Sequence, residues 1–280
     1  MEKERKRILK ERIFSFGVVF LAFTACIPLF LILGFIIKKG ISAINFEFFI
    51  HLPKPVGDEG GGISNAIIGT FITVGIAFFI ATPISIMAGI FLAENRKGIV
   101  PEILRTCIDI LSSIPSIVIG IIAYLWIVKP MKTFSALSGG VALAIIMLPV
   151  VIKSTEETLA MIPYSLREAS FALGVPYYRT ILKVIVPAGL SGIVTGILIA
   201  ISRIAGETAP LLFTAFGNPF MSLKITKPIN SLPLVVFNYS TSPYEQWHQI
   251  AWGAALVLLM LILTFNLLSR IISRKWKVKF

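Results

Sequence analysis

The sequence predicts an all-α protein that crosses a membrane several times. Of its 280 residues, 56% are hydrophobic and only 14% are charged, and the mean hydropathy is +0.89. A soluble domain of this length would not need several separate, nearly uncharged runs of about 20 residues, the length that crosses a bilayer. The formal net charge of +12 therefore has to be interpreted by its position along the chain, and not as a surface for nucleic acid.

Six apolar runs account for the predicted spans. The fifth run has 34 residues, and a straight helix of that length would measure about 50 Å against a hydrocarbon core of about 30 Å. It must therefore tilt or break, and Pro187, Gly206 and Pro210 are the residues where a break costs least. The six runs cover residues 13–37, 64–93, 107–128, 138–153, 184–217 and 249–269.

These runs are expected to form one transmembrane domain over residues 13–272, between basic segments at 1–12 and 273–280. Eighteen of the 26 lysines and arginines lie on the side of the membrane that holds both basic segments, seven lie on the other side, and Arg203 lies within a run. The positive-inside rule therefore predicts that both termini are cytoplasmic. The first run is longer than that of a signal peptide and lacks a small-x-small cleavage site, so we expect an uncleaved span.

The segment between spans four and five, residues 163–189, is predicted to lie in the cytoplasm. A short amphipathic helix fits residues 164–173, with Gly174 allowing a turn and Pro176 preventing continuation. A helix this short is unstable alone in water, so it needs a surface to dock on, which is either the lipid headgroups or a partner protein. Its apolar side chains are Leu166, Ala169, Phe171 and Leu173, and its charges are Arg167 and Glu168.

This segment resembles the cytoplasmic loop of the permease subunits of ATP-binding-cassette importers. The family's loop carries E-A-A, three residues, G, nine residues, and I-x-L-P. Here Glu168, Ala169 and Ser170 stand at E-A-A, Gly174 stands at the glycine, and VIVP at 184–187 stands at I-x-L-P. The spacing is complete, and the departures at Ser170 and at the two valines are conservative.

The resemblance implies a type I importer permease fold with six spans and a coupling helix at about 163–178 that fits a groove on the ATPase subunit. It implies a multi-pass protein of the cytoplasmic membrane of a prokaryote. The residues expected to couple to the ATPase are Arg167, Glu168, Ala169 and Gly174.

Three further blocks resemble the A-type permease of phosphate importers: GGGISNAIIGT at 60–70, ALAIIMLPVVIKSTEETL at 142–159, and ISRIAGETAPLLFTAFGN at 201–218 with the segment after it. The G-E-T-A-P-L-L-F-T stretch is the most specific. A sulfate or molybdate permease is the nearest alternative within the importers. Two alternatives from other classes are a secondary anion carrier and a membrane scaffold that signals phosphate status without transport.

ATP hydrolysis is expected on a separate polypeptide, because no G-x-x-x-x-G-K-[ST] stretch occurs in the chain. The chain itself is expected to be no enzyme and to bind no cofactor, metal or nucleic acid. The resemblance implies that the partners are two copies of an ATPase subunit that carries ATP and Mg, a second related permease, and a phosphate-binding protein on the outer side. The outer segments 38–63 and 218–248 are the natural docking surfaces for it.

Arg203 and Glu207 are ionisable residues inside the fifth run, four residues apart and so expected on one face of a helix within pairing reach. Three interpretations remain open: a substrate pathway, a structural ion pair, or an arginine that reaches the outer headgroups. In the pathway interpretation, the planar guanidinium matches two oxygens of a tetrahedral oxyanion, and Glu207 accepts a hydrogen bond from the O–H of hydrogen phosphate, which sulfate lacks. Thr208 is a weaker pathway candidate, as are Ser202 and Thr195.

Other charges near the predicted cytoplasmic surface need no special role. Asp109 lies one turn from Arg105 and is expected to pair with it or to be hydrated. Glu156 and Glu157 are expected to be solvated on the protruding end of span four, within reach of the ATPase.

Overall fold

The computed structural model describes residues 2–55, 57–58 and 60–275, and its regular structure in those ranges is helical apart from one isolated β-bridge between Phe216 and Ile229. The α-helices are α1 (Glu2–Ile41), α2 (Phe46–Ile50), α3 (Ser64–Glu94), α4 (Ile99–Ser113), α5 (Ser116–Ala123), α6 (Lys129–Met131), α7 (Ala136–Ala160), α8 (Tyr164–Ala172), α9 (Tyr177–Thr180), α10 (Val186–Ala205), α11 (Ala209–Thr214), α12 (Leu232–Ser240) and α13 (Glu245–Lys275).

Within the described ranges, five helical segments are long and apolar enough to cross a membrane, and a bent pair supplies a sixth span if it is counted as one. The pair consists of α4 and the segment Ser116–Met131, which meet at an angle of 100°. The all-α prediction of six spans is therefore confirmed, with the sixth resting on this pair. The five single segments are Lys10–Ile41, Ser64–Glu94, Ala136–Ala160, Tyr177–Ala205 and Glu245–Arg274.

The third predicted run, residues 107–128, is not one straight span. α4 ends at Ser113, and Ile114 adopts an extended backbone with φ −67° and ψ 128°. Pro115 is the cause, because a proline ring disfavours the helical conformation of the residue before it. The chain then turns into α5, so the run is divided between two helices.

α3 and α7 form the most extensive helix pair of the bundle. Small residues let them approach closely: a Cβ atom on Gly89 would lie 2.5 Å from the Cβ of Thr155, and a Cβ on Gly140 would collide with Ile76. Close approach of this kind is how helices pack in lipid, where no hydrophobic effect drives them together. Leu143, Met147 and other fully buried side chains of α7 place this helix at the centre of the main core.

Two π-helical turns, Tyr124–Val128 and Ile181–Ile185, each stand two residues before a proline. Proline has no N–H, and its ring clashes with the carbonyl four residues earlier. The backbone responds with a hydrogen bond that spans five residues instead of four, from the N–H of Val186 to the carbonyl of Ile181. Pro187 therefore widens the fifth span without breaking it.

The fifth run breaks at Gly206, which is one of the three positions where a break was expected. α10 ends at Ala205, residues 206–208 are not helical, and α11 begins at Ala209 with Pro210 in its first turn. α11 is fixed against α5, since the backbone of Pro210 lies against Gly120. The long run is thus a full span followed by a short, separate helix.

We call the end of the bundle that carries α8 the loop end, and the other end the opposite end. α3 and α7 both finish at the loop end, with Glu94 and Ala160 respectively. α13 runs antiparallel to α10, because Ser269 contacts Thr195 while Ile262 lies beside Gly206. α13 therefore also finishes at the loop end.

α1 lies at the periphery and touches the rest of the chain mainly through α13. Gly40 packs against Leu256, and the ring of Phe35 meets that of Trp252 edge to face at 5.1 Å. The first apolar run thus continues helically from the basic N-terminal segment, since α1 begins at Glu2. Of the predicted basic tail, residues 276–280 lie outside the described residues.

Candidate functional site

α8 is the short helix that the sequence predicts at the loop end, and a glycine ends it. Gly174 has a φ of +73°, a backbone conformation that favours glycine. The N–H of Gly174 donates to the carbonyl of Phe171 at 2.9 Å, and the N–H of Val175 donates to the carbonyl of Ser170 at 3.3 Å. This pair of bonds is the Schellman motif, which satisfies the last carbonyls of a helix.

A buried ion pair anchors α8 to the end of α3. Nη2 of Arg167 donates to Oε1 of Glu94 at 2.6 Å, and the two side chains are only 6% and 9% exposed. The same guanidinium donates through Nη1 to the carbonyl of Ile162 at 3.3 Å, and the hydroxyl of Tyr177 donates to Oε2 of Glu94 at 3.2 Å. Both oxygens of the carboxylate are therefore used, as a buried charge requires.

The sequence predicts that Arg167 takes part in coupling to the ATPase, and the structure places its side chain against Glu94 of this chain and not on the outer face of α8. Its side chain points into this chain, because Arg167 and Ser170 lie one turn apart on the inward face of α8. Ser170 continues the attachment, with its hydroxyl 2.8 Å from that of Thr180. Glu168 and Ala169 lie on the outward face and are exposed.

The outward face of α8 combines one carboxylate with apolar surface. Leu166 is half-buried against the core, whereas Phe171 and Leu173 are 39% and 83% exposed. The ring of Phe171 stacks on that of Tyr177, with centroids 6.4 Å apart. The exposed surface formed by Glu168, Ala169, Phe171, Leu173 and Gly174 is called the α8 surface below.

Other ion pairs tie α4 to α7 at the loop end. Nε of Arg105 donates to Oε1 of Glu156 at 2.8 Å, and Nη2 of Arg105 donates to the carbonyl of Leu92 at 2.9 Å. Nζ of Lys153 lies 2.6 Å from Oδ1 of Asp109. The expected pairing of Asp109 with Arg105 is thus replaced by a pairing across two helices, and Glu156 is paired instead of simply solvated.

Arg203 and Glu207 do lie within pairing reach, at 3.8 Å between Nε and Oε1, but not on one helix. Arg203 belongs to the last turn of α10, and Glu207 lies in the break after Gly206. The distance exceeds that of a hydrogen bond. The arginine side chain is 54% exposed and the glutamate side chain 20%. Over the residues that the structure describes, the N–H groups of Arg203 have no hydrogen-bond acceptor, so its fork is open to a ligand.

The hydroxyls near Arg203 are used locally, as expected. The hydroxyl of Ser202 donates to the carbonyl of Leu198 at 2.8 Å, and that of Thr195 donates to the carbonyl of Ser191 at 2.6 Å. Thr208 lies in the break directly after Glu207 and is half-buried. Thr208 differs from the other two hydroxyl candidates, because its hydroxyl makes no hydrogen bond to the preceding turn among the described residues.

At the opposite end, the two long outer segments come together and line one cleft of about 750 Å³. Asn65, in the first turn of α3, holds the second of these segments, because its Nδ2 donates to the carbonyls of Asn218 at 2.7 Å and Pro219 at 3.0 Å. Phe216 has a φ of +65° and stacks on Phe134 with centroids 4.6 Å apart. The cleft is lined by residues 52–55, 216–220, Asn230, Asn238, Tyr239, Tyr244 and Trp247.

Glu94 is the site residue that the sequence analysis missed. It follows an apolar run of thirty residues and is the last residue of α3. An acidic side chain directly at the end of a predicted span was the available signal, since such a group needs either water or a partner. Its partner lies 73 residues later in the chain, and no local pattern links the two.

Comparison with known proteins gives a family match and close relatives. Residues 85–278 match the family described as "Binding-protein-dependent transport system inner membrane component". The phosphate transport system permease protein PstA of Yersinia pestis is 45% identical over 242 residues, which cover 86% of this chain and 82% of that protein. The phosphate transport system permease protein PstA 1 of Mycobacterium tuberculosis H37Rv is 36% identical over 253 residues, which cover 89% of this chain and 82% of that protein.

Solved structures share the fold. A chain of the inward-facing MetNI methionine ABC transporter has a TM-score of 0.62 at 20% identity, covering 77% of this chain and 98% of that chain. A chain of a bacterial alginate ABC transporter, in complex with an alginate-bound periplasmic protein, has a TM-score of 0.65 at 14% identity, covering 97% of this chain and 96% of that chain. The predicted fold of an ABC importer permease is thereby confirmed.

Proposed function

Because the chain belongs to the family of binding-protein-dependent transport system inner membrane components, we propose that it is the permease subunit of an ATP-driven importer of inorganic phosphate. It forms half of the translocation path and couples to a separate ATPase through α8. Identity of 45% to a phosphate permease over most of the chain supports the substrate.

The observation that carries this proposal is the α8 surface. A helix of nine residues is not stable alone. The ion pair of Arg167 and Glu94 fixes the inward face of α8 to α3, and the outward face presents Glu168 and apolar side chains. That arrangement suits a helix that receives force from a partner. A helix lying on lipid headgroups would not need a buried ion pair to fix it to α3.

In this proposal the loop end faces the cytoplasm, and both termini lie there. The excess of lysine and arginine at that end supports this orientation. Two copies of an ATPase that carries ATP and Mg act at the loop end, with a second, related permease completing the path. Binding and hydrolysis of ATP move α8, which acts on α3 through Glu94 and, through Thr180 of α9, on the segment that leads into α10.

Arg203 is the residue we propose for contact with phosphate in the path. A half-exposed arginine at the end of a membrane helix, with an open fork and an ion-pair partner at 3.8 Å, is poised to exchange that partner for an oxyanion. Glu207 holds Arg203 in the absence of phosphate and accepts a hydrogen bond from the O–H of hydrogen phosphate in its presence. Thr208 lies next in the break and supplies a hydroxyl.

The cleft at the opposite end is proposed as the surface for an extracytoplasmic phosphate-binding protein. It joins the segments 38–63 and 218–248, and it carries amide and aromatic side chains that suit a protein interface. Tight binding of phosphate would then belong to that partner, because a conducting path requires weak sites.

The proposal is tested by uptake of radiolabelled phosphate into vesicles that contain the assembled complex, with ATP present or absent and with excess sulfate or molybdate as competitors. ATP-dependent phosphate uptake that resists both competitors supports the proposal. Uptake that sulfate or molybdate blocks assigns the chain to one of those importers. Uptake that does not depend on ATP, together with failure of the chain to retain an ATPase through affinity purification, supports a secondary anion carrier and contradicts the proposal.

A further inference from the structure

A groove of about 680 Å³, with apolar walls and a polar end, lies between α10 and the last turns of α13, towards the loop end. Ser269 fixes its floor: the residue is only 4% exposed, and its hydroxyl lies 3.5 Å from the carbonyl of Thr195. The rest of the α13 side combines the hydrogen-bonding side chains of Asn266, Arg270, Ser273 and Arg274 with the apolar side chains of Leu263 and Leu267. Thr195 and Ile199 contribute the α10 wall.

The groove lies on the same face of α10 as Arg203. Thr195, Ile199 and Arg203 are spaced by four residues, so they follow one another along one side of the helix, over about 12 Å. In the second half of α10, Ile199 and Arg203 are the exposed positions. The other side of α10 is covered, because Gly192 and Gly196 pack against Thr158 and Ser154 of α7.

The charge of the groove is positive. Arg270 and Arg274 are one turn apart on α13, both are exposed, and the part of the chain that the structure describes places no acidic side chain in the lining. Neither arginine has an ion-pair partner within those described residues, in contrast to Arg105 and Arg167, which are both paired. Two open guanidinium forks beside amide and hydroxyl donors form a set suited to a phosphate group.

We propose that this groove binds a phosphate group on the loop-end side of Arg203. This inference rests on the proposed function in one respect: if the chain conducts phosphate, the groove is the next anion site along the same helix face, where the ion is released towards the cytoplasm. The same donors would equally hold the phosphate of an anionic lipid headgroup, and the chemistry of the ligand is the same in both cases.

The test uses the double variant Arg270→Gln with Arg274→Gln in the assembled complex, with Lys183→Gln as the matched control. Lys183 is an exposed cation near the loop end that does not line the groove. Initial rates of ATP-driven uptake of radiolabelled inorganic phosphate are measured in vesicles of phosphatidylcholine alone and in vesicles that also contain phosphatidylglycerol. Loss of one charge-assisted contact corresponds to roughly tenfold weaker binding.

A fall in uptake of about tenfold in both kinds of vesicle, seen in the double variant and not in the control, supports a site for the transported ion. A wild-type rate that rises with phosphatidylglycerol, and a double variant that no longer responds to it, supports a site for a lipid headgroup. Equal behaviour of wild type, control and double variant in both kinds of vesicle overturns the inference. If the wild-type complex does not transport phosphate at all, the proposed function fails and not the inference about the groove. The groove is then tested by the amount of phosphatidylglycerol that co-purifies with the wild type and with the double variant. Equal amounts overturn the inference.

Discussion

The guanidinium of Arg167 lies 2.6 Å from the carboxylate of Glu94, and both side chains are almost completely buried. The pair joins α8, which is only nine residues long, to the end of a helix of 31 residues. Tyr177 binds the second carboxylate oxygen, so the same carboxylate also reaches the segment that leads into α10. In the proposed coupling, a displacement of α8 acts on two spans through this one carboxylate.

Glu94→Gln is expected to uncouple ATP hydrolysis from transport. The substitution leaves the buried charge of Arg167 without its partner, and removal of one member of a buried pair costs about 3–5 kcal/mol. We expect a lower midpoint of thermal unfolding in detergent and fewer phosphate ions transported per ATP hydrolysed. The measurement is that ratio, in vesicles with matched amounts of complex.

Glu102→Gln is the control for this prediction, since Glu102 is exposed in the first turn of α4, near the same end of the bundle, and has no ion-pair partner among the described side chains. The exchanged pair Glu94→Arg with Arg167→Glu is expected to recover part of the ratio, which a loss of packing alone would not allow. A normal ratio in Glu94→Gln contradicts a role of the pair in transmission.

Arg167→Ala and Glu168→Ala are neighbouring substitutions with opposite expected effects. Arg167 is buried, so its removal leaves Glu94 unpaired and destabilises the permease itself. Glu168 is exposed, so its removal is expected to leave the unfolding midpoint unchanged and to reduce the amount of ATPase that co-purifies with the permease. Thermal unfolding of the permease and the stoichiometry of the purified complex separate the two effects. If the two variants lose ATPase equally with equal midpoints, the assignment of inward and outward faces is wrong.

Gly89→Ala is expected to weaken the packing of α3 on α7. A Cβ atom there would lie 2.5 Å from the Cβ of Thr155, and overpacking of this kind costs about 1–3 kcal/mol. Gly75→Ala on the same helix is the control, because no atom lies within 4 Å of the position of its Cβ. The unfolding midpoints of the two variants in detergent test the prediction, and a midpoint of Gly89→Ala equal to that of Gly75→Ala would contradict the close approach.

Glu207→Gln is expected to relax discrimination against sulfate. The carboxylate of Glu207 can only accept a hydrogen bond, whereas the amide of glutamine can also donate one. The variant site can therefore bind sulfate, which carries no proton to donate. Competition by sulfate against labelled phosphate uptake measures this, at matched amounts of complex in the membrane. The expected result is inhibition at sulfate concentrations that do not affect the wild type, and unchanged selectivity would assign Glu207 to a structural pair.

Local patterns in the sequence were sufficient for the helices and the short loop helix. Gly174 and its spacing from Glu168 predict the turn that the structure contains, because a positive φ is a local requirement. The break at Gly206 was one of three predicted positions because glycine and proline are the residues at which a helix breaks at least cost. The bend at Ile114 was missed, although Pro115 and the serines beside it were visible, because the apolar run continues on both sides of them.

Contacts between distant segments were not predictable in the same way. The partner of Glu94 is 73 residues away, and the partner of Asp109 is Lys153 on another helix and not Arg105 one turn away. Such pairings depend on how helices cross. The orientation of Arg167 follows from which face of α8 meets α3, and an amphipathic pattern in nine residues is too short to decide between adjacent positions.

The role of the Arg203 guanidinium as the contact for the transported ion is tested by uptake of labelled phosphate in the complex with Arg203→Gln. Lys129→Gln, which removes an exposed positive charge on α6, outside the two segments proposed for docking, is the control. We expect a fall of about tenfold or more in phosphate uptake, because charge-assisted hydrogen bonds contribute about 1.5–3 kcal/mol. The amount of ATPase retained by the complex is expected to equal that of the wild type. Unchanged uptake in Arg203→Gln would exclude Arg203 as a phosphate contact and leave Arg203 and Glu207 as a structural ion pair.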